Sequence, residues 1–119
     1  MNPDIIKTAE KIEEKIFELQ QAREQIIEAA QDKAKAVSEY DKSLAVTILR
    51  LKNNDIRMFE GQEISNLPAT LIGPVAKGIV YEKAFTKELC EDTYKSRIVQ
   101  MDAIRAELNG LQSINKYIE

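Results

Sequence analysis

Between Pro3 and Gly61 the chain has neither glycine nor proline, and isoleucine and leucine recur through that run at helical spacing. Ile5, Ile12, Leu19 and Ile26 stand seven apart, and Val37, Leu44 and Leu51 repeat the interval after one eleven-residue step. The spacing predicts one amphipathic helix over residues 3–53. Such a helix, about 50 residues long, extends roughly 75 Å, against a globular average of about 11–12 residues. A rod of that length cannot bury its own apolar stripe, so it requires a partner helix.

Local signals place the ends. Asn2 is an expected N-cap with Pro3 at the first helical position, where a missing N–H costs nothing. Asp4 follows at the positive end of the helix dipole. The apolar stripe reads Ile5, Ala9, Ile12, Ile16, Leu19, Ile26, Ala30, in the steps of three, four or seven that keep one face. The longer step from Ile26 to Val37 reads as a stutter, and Ala29, Ala30, Ala34 and Ala36 within it would let another helix approach closely. Beyond it the stripe continues through Val37, Tyr40, Leu44, Ile48 and Leu51. Asn53-Asn54-Asp55 is turn-forming and should end the helix.

Five of the seven glycines and prolines fall between Gly61 and Gly78, which makes residues 54–74 an irregular connector, with a helical turn expected at Leu67–Ile72. A second long helix is expected over 75–118, with the seam Cys90, Tyr94, Met101, Ile104, Leu108, Leu111 and Ile118. Gly110 costs that helix about 1 kcal/mol relative to alanine, which the flanking heptads should carry. The fold class is therefore all-α: a long antiparallel helical hairpin, or coiled coil, forming a single domain. Ile6, Phe17, Ile27, Ile98, Val99 and Ile114 widen the stripes beyond one seam. Two helices cannot cover stripes that wide, so association into an oligomeric bundle is expected. Ile12, Leu19, Ile26, Val37, Leu44, Leu51, Tyr94, Met101, Ile104, Leu108 and Leu111 are the expected core and oligomerisation residues.

Composition bears on function mainly by what it withholds. There is no histidine, the commonest general base and metal ligand. The single cysteine makes neither a zinc site nor an intramolecular disulfide. The four glycines match no phosphate loop or dinucleotide turn. No catalytic, cofactor-binding or metal-binding residue is assigned, and an enzyme is not expected. No apolar run approaches the roughly 20 residues that span a bilayer, and the N-terminus lacks the features of a signal peptide. A cytoplasmic protein with no membrane partner is expected.

Charge is more informative in its distribution than in its total of −3. Residues 1–32 carry net −4, residues 33–87 net +3 and residues 88–119 net −2. The hairpin would gather Lys33, Lys35, Lys42, Arg50, Lys52, Arg57 and Lys77 around its tip, with Lys83 and Lys87 near them. Clustered cations on flexible stems attract a phosphate backbone by counterion release without reading sequence. Met58, Phe59, Tyr81 and Phe85 add surface on which exposed bases can stack. Ile64, Leu67, Leu71, Ile72 and Val75 of the connector serve either as a self-packing cap or as a docking surface.

The layout of a long charged helix, a short connector and a second helix closing on Ala106-Glu-Leu-Asn-Gly-Leu-Gln-Ser-Ile-Asn-Lys-Tyr117-Ile resembles small helical proteins of bacteriophage and prophage replication–recombination regions. It is also similar in outline to the UvsY-type recombination mediators of phage, which oligomerise and help load a recombinase onto single-stranded DNA. The resemblance implies a non-enzymatic homo-oligomeric accessory factor acting with DNA-processing partners: a recombinase or a single-stranded-DNA-binding protein, with single-stranded DNA as a further candidate. A protein-binding coiled-coil adaptor or chaperone, and a phage structural or assembly component, are the alternatives without nucleic acid.

Overall fold

A computed structural model describes residues 3–118, Ile118 by its backbone alone. The expected cap at Asn2 lies outside the described residues. Helix α1 spans Pro3–Lys52, and a two-stranded antiparallel ladder follows, β1 at Met58–Phe59 and β2 at Gln62–Glu63. Helix α2 spans Ala69–Ile79 and α3 spans Tyr81–Ile118. The long helices α1 and α3 pack antiparallel. Among residues 3–31 and 92–118 the pairing keeps step: Lys15 meets Glu107 and Gln25 meets Arg97 at 3.3 Å, so ten residues along α1 match ten back along α3; within residues 32–91, Glu39 meets Lys83 at 3.7 Å.

Contacts gather the chain into two compact units. Unit 1 combines the first part of α1, to Gln31, with α3 from Asp92 onward; unit 2 is Asp32–Glu91.

The buried column of α1 is made of small side chains. Thr8, Ala22, Ala29, Ala36 and Thr47 are all 9% exposed or less, and three of them are alanines seven residues apart. Ile5, Ile12, Leu19 and Ile26, the large residues of the expected seam, are only half-buried beside that column. Ala9 is exposed and Ile16 is 42% exposed, so neither belongs to the seam. Burial also runs through the expected stutter by way of Ala29, Lys33, Ala36 and Tyr40, in steps of four, three and four. Small buried residues, Ala29 and Ala36, occupy two of those positions, and a search for large apolar residues passes over them. Leu51 is the only expected α1 core residue that is fully buried, at 3% exposed; Val37 and Leu44 are half-buried. On α3, Leu108 is buried at 9%, while Tyr94, Met101, Ile104 and Leu111 are half-buried.

Unit 2 is built from specific local devices. At the end of α1, Asn54 takes a left-handed conformation (φ 58°); its N–H donates to the Leu51 carbonyl at 3.2 Å and the Asp55 N–H to that of Arg50 at 2.8 Å. This is a Schellman closure with asparagine in the usual glycine place. The Asn54 side chain then staples the loop. Its amide donates to Asn66 Oδ1 at 3.0 Å, and its Oδ1 accepts the Asn66 backbone N–H at 2.9 Å. Arg57 Nε donates to the Asn54 carbonyl at 3.0 Å.

The stretch expected to be irregular over 54–74 therefore holds regular structure. Glu60 (φ 50°) and Gly61 (φ 75°) form the two-residue turn between β1 and β2, whose paired positive φ values match the twist of a tight hairpin. The second helical segment starts at Ala69 rather than 75 and breaks once, at Val80. Gly73, Pro74 and Gly78 read as punctuation in sequence, yet α2 runs through all three. Burial overrides propensity here: Ala76 is fully buried, Ile72, Val75 and Ile79 are half-buried, and the Phe59 ring seats against Gly78. At Val80 the N–H still donates to the Ala76 carbonyl while its own carbonyl accepts from Lys83 and Ala84, so one residue closes α2 and opens α3. Helix α3 passes through Gly110 without interruption.

Candidate functional site

Sequence reasoning pointed to seven cations near the hairpin tip, and the structure separates them. Lys42 and Arg50, two turns apart on α1, line one open groove of about 440 Å³ together with Ser43, Val46, Thr47, Ile79, Val80, Glu82 and Lys83. Three of these lining residues are cationic, Lys42, Arg50 and Lys83, one is acidic, Glu82, and the others are small or apolar. Lys35, Lys52 and Lys77 are exposed but do not line that groove. Lys33 is half-buried in the α1 seam and already engaged in an intramolecular interaction. Arg57 spends its Nε on closing the loop at Asn54. The sequence had no means to separate these roles, because seam and groove positions differ by a single helical step.

Neighbouring carboxylates temper the groove. Lys83 lies 3.7 Å from Glu39, and Lys87 lies 3.9 Å from Glu91 while also standing 4.7 Å above the Tyr40 ring. The net +3 of residues 33–87 does not describe the folded unit. Unit 2 also includes Asp32, Glu88 and Glu91, which brings it to nine basic and nine acidic residues. Cations and carboxylates of unit 2 are thus equal in number, and only their placement distinguishes one face from another.

Apolar surface is the second feature. In unit 2, Tyr81, Phe85 and Leu89 follow one another at four-residue intervals on α3 and are 63%, 66% and 55% exposed. Met58 and Leu71 are also exposed, whereas Ile64, Leu67, Ile72 and Val75 are half-buried, so most of the connector's apolar residues pack on their own unit. In unit 1, Ile6, Phe17, Ile27, Val99 and Ile114 are exposed, as their position off the seam requires, and Ile98 is half-buried.

The remaining notable polar contact lies in unit 1. The Lys15 ammonium, in the seam column between Thr8 and Ala22, bonds Glu107 and, at 3.0 Å, Glu18. Those bonds, Glu107 first, raise its pKa above the ordinary lysine value. Cys90 is a half-buried free thiol. Among the described residues no group of three or more histidine, cysteine, aspartate or glutamate side chains could hold a metal ion, and no helix is long and apolar enough to cross a membrane. No protein-family model matches the chain, and neither does any curated protein or solved structure.

Proposed function

We propose that the protein is a non-enzymatic cytoplasmic accessory factor that works by presenting surfaces, with the unit 2 groove contacting the phosphates of single-stranded nucleic acid. One observation carries this reading: Lys42, Arg50 and Lys83 line a single groove with small and apolar residues and one carboxylate, Glu82. Repetition of such grooves in an oligomer would raise the local concentration of a strand held weakly by each copy. This is the chemistry a scaffold or loader in phage-type replication or recombination needs, and it requires no base reading.

Binding of a labelled single-stranded oligonucleotide across a salt series tests it. Each cation engaged on a single strand contributes about 0.7 to the slope of log affinity against log salt. Three groove cations give a slope near −2, and Lys42→Glu with Arg50→Glu should remove most of it while leaving helicity unchanged. No binding at low salt, or binding insensitive to salt, ends the proposal. The balanced charge of unit 2 and the exposed Tyr81–Phe85–Leu89 stripe favour a second reading, a protein-binding adaptor. There the Lys42 and Arg50 changes are silent and Phe85→Ser abolishes client binding.

A further inference from the structure

In unit 2 the outward face of α3 is large and acidic, and that of α1 is small and basic. Opposite its seam, α3 presents Tyr81, Phe85 and Leu89, which are 63%, 66% and 55% exposed. With Phe85 as centre, Tyr81 and Leu89 stand four residues away and the exposed carboxylates Glu82 and Glu88 three, all neighbours on one helix face. Glu82 and Glu88 form no ion pair among the described residues, whereas Lys83 and Lys87 are engaged with Glu39 and Glu91. Beside them on the outward side of α1 are Ala34, Lys35, Ser38 and Lys42, all exposed.

We infer that copies of this chain pack side by side about an axis parallel to α3, the Phe85 ridge of each seated on the Ala34 and Ser38 strip of the next. Rotation about such an axis changes no residue's height, so the register between copies is the register within one. Glu39 stands level with Lys83. The same register puts Phe85 between Ala34 and Ser38, one large side chain over two small ones, which suits a ridge entering a groove. It also brings Glu82 within about 3 Å in height of Lys42 of the neighbouring copy. Like pairings fail on charge: two α3 ridges gather four carboxylates and two α1 strips gather four lysines, whereas α3 on α1 opposes them.

Unit 1 repeats the arrangement with the sizes exchanged. Its α1 turns Phe17 and Ile27 outward, each 60% exposed. The outward side of its α3 carries Ser96, Ala103, Ala106 and Gly110, with Val99 the large exception. Lys15 stands level with Glu107, which puts Phe17 between Ala103 and Ala106 and Ile27 beside Ser96. Within one copy the two outward faces never meet, so the single chain does not require them to match. The contact is heterologous: each copy meets two neighbours, and the assembly exceeds a dimer. It stands without nucleic acid, so it and the groove reading can fail separately.

Light scattering of the full chain, with no nucleic acid present, should give one species larger than a dimer, and Phe85→Glu should give a helical monomer. Glu82→Lys and Lys42→Glu should each weaken the oligomer at least several-fold at low salt, and the double variant should restore it. Disulfide trapping identifies the helices that meet. In a Cys90→Ser background, Ala34→Cys with Glu88→Cys should give a ladder of cross-linked chains, and either cysteine alone none. A monomeric or dimeric wild type overturns the assembly. Cross-linked dimers from one cysteine alone, no ladder from two, or a double charge swap that fails to recover overturns this contact.

Discussion

Unit 1 and unit 2 reach stability by opposite routes. Unit 1 consists of two helix segments, with Ala22 and Ala29 buried seven residues apart on the first. Unit 2 has a Schellman closure, a two-residue turn, a paired-asparagine staple and a phenylalanine seated on a glycine, each present once. A repeating seam spreads its stabilisation over many similar contacts. Single devices concentrate it in a few residues. Unit 1 should therefore tolerate loss of any one large residue better than intrusion into its narrow column, while unit 2 should fail at named positions.

The widest test of that contrast overfills the narrow column. Ala22→Leu with Ala29→Leu should cost about 3 kcal/mol or more, because overpacking a close contact costs about 1–3 kcal/mol per site. Hydrogen exchange should rise in unit 1 and stay nearly constant at residues 53–68; equal loosening in both would dissolve the distinction between the units. Next in size is Asn54→Ala, expected to cost about 2 kcal/mol from two lost side-chain hydrogen bonds and a left-handed backbone that alanine disfavours. Asn54→Gly should recover roughly half, since glycine accepts the backbone but makes no staple. Equal denaturation midpoints for the two variants would mean that the staple contributes nothing.

A smaller, opposite effect is expected at Gly110. A Cβ built there meets nothing within 4 Å, so Gly110→Ala should stabilise α3 by about 0.5–1 kcal/mol. A lower melting temperature would show that the space over Gly110 is used, as a second chain would use it.

The smallest effect is a pH slope. Lys15 has a raised pKa in the folded state, so its contribution is fully present below the unfolded lysine value of about 10.4. It is lost as pH climbs through the raised value. Stability measured from pH 9 to 11.5 should fall slightly more for the wild type than for Lys15→Met, and identical slopes would remove the Lys15–Glu107 contact from the account.

How much of this was legible in the sequence follows from the kind of contact involved. The uninterrupted run from Pro3 to Leu51 and the heptads of α3 announced two long helices, and Asn53-Asn54-Asp55 announced where the first one ends. Helix α2 was hidden because Gly73, Pro74 and Gly78 are poor helix formers; burial of Ala76 and the Phe59 ring outweighs them, and neither is a local property. The alanine column was visible as a seven-residue spacing but carries too little apolar area to stand out beside isoleucine. For the candidate site, residue type alone named seven cations, and only packing separated Lys42 and Arg50, which line a groove, from Lys33 in the seam and Arg57 in the loop.

The amino-acid order by itself determined that the chain is helical, that its two rods are amphipathic and that it carries no histidine and a single cysteine. These follow from propensity, periodicity and composition, which act within a few turns of chain. The tertiary structure decided which side of α1 turns inward: the small residues Thr8, Ala22, Ala29, Ala36 and Thr47 are buried, and Ile6, Ile16, Phe17 and Ile27 stay exposed. Burial is settled by what packs against a face, and residue type alone does not say which face that is.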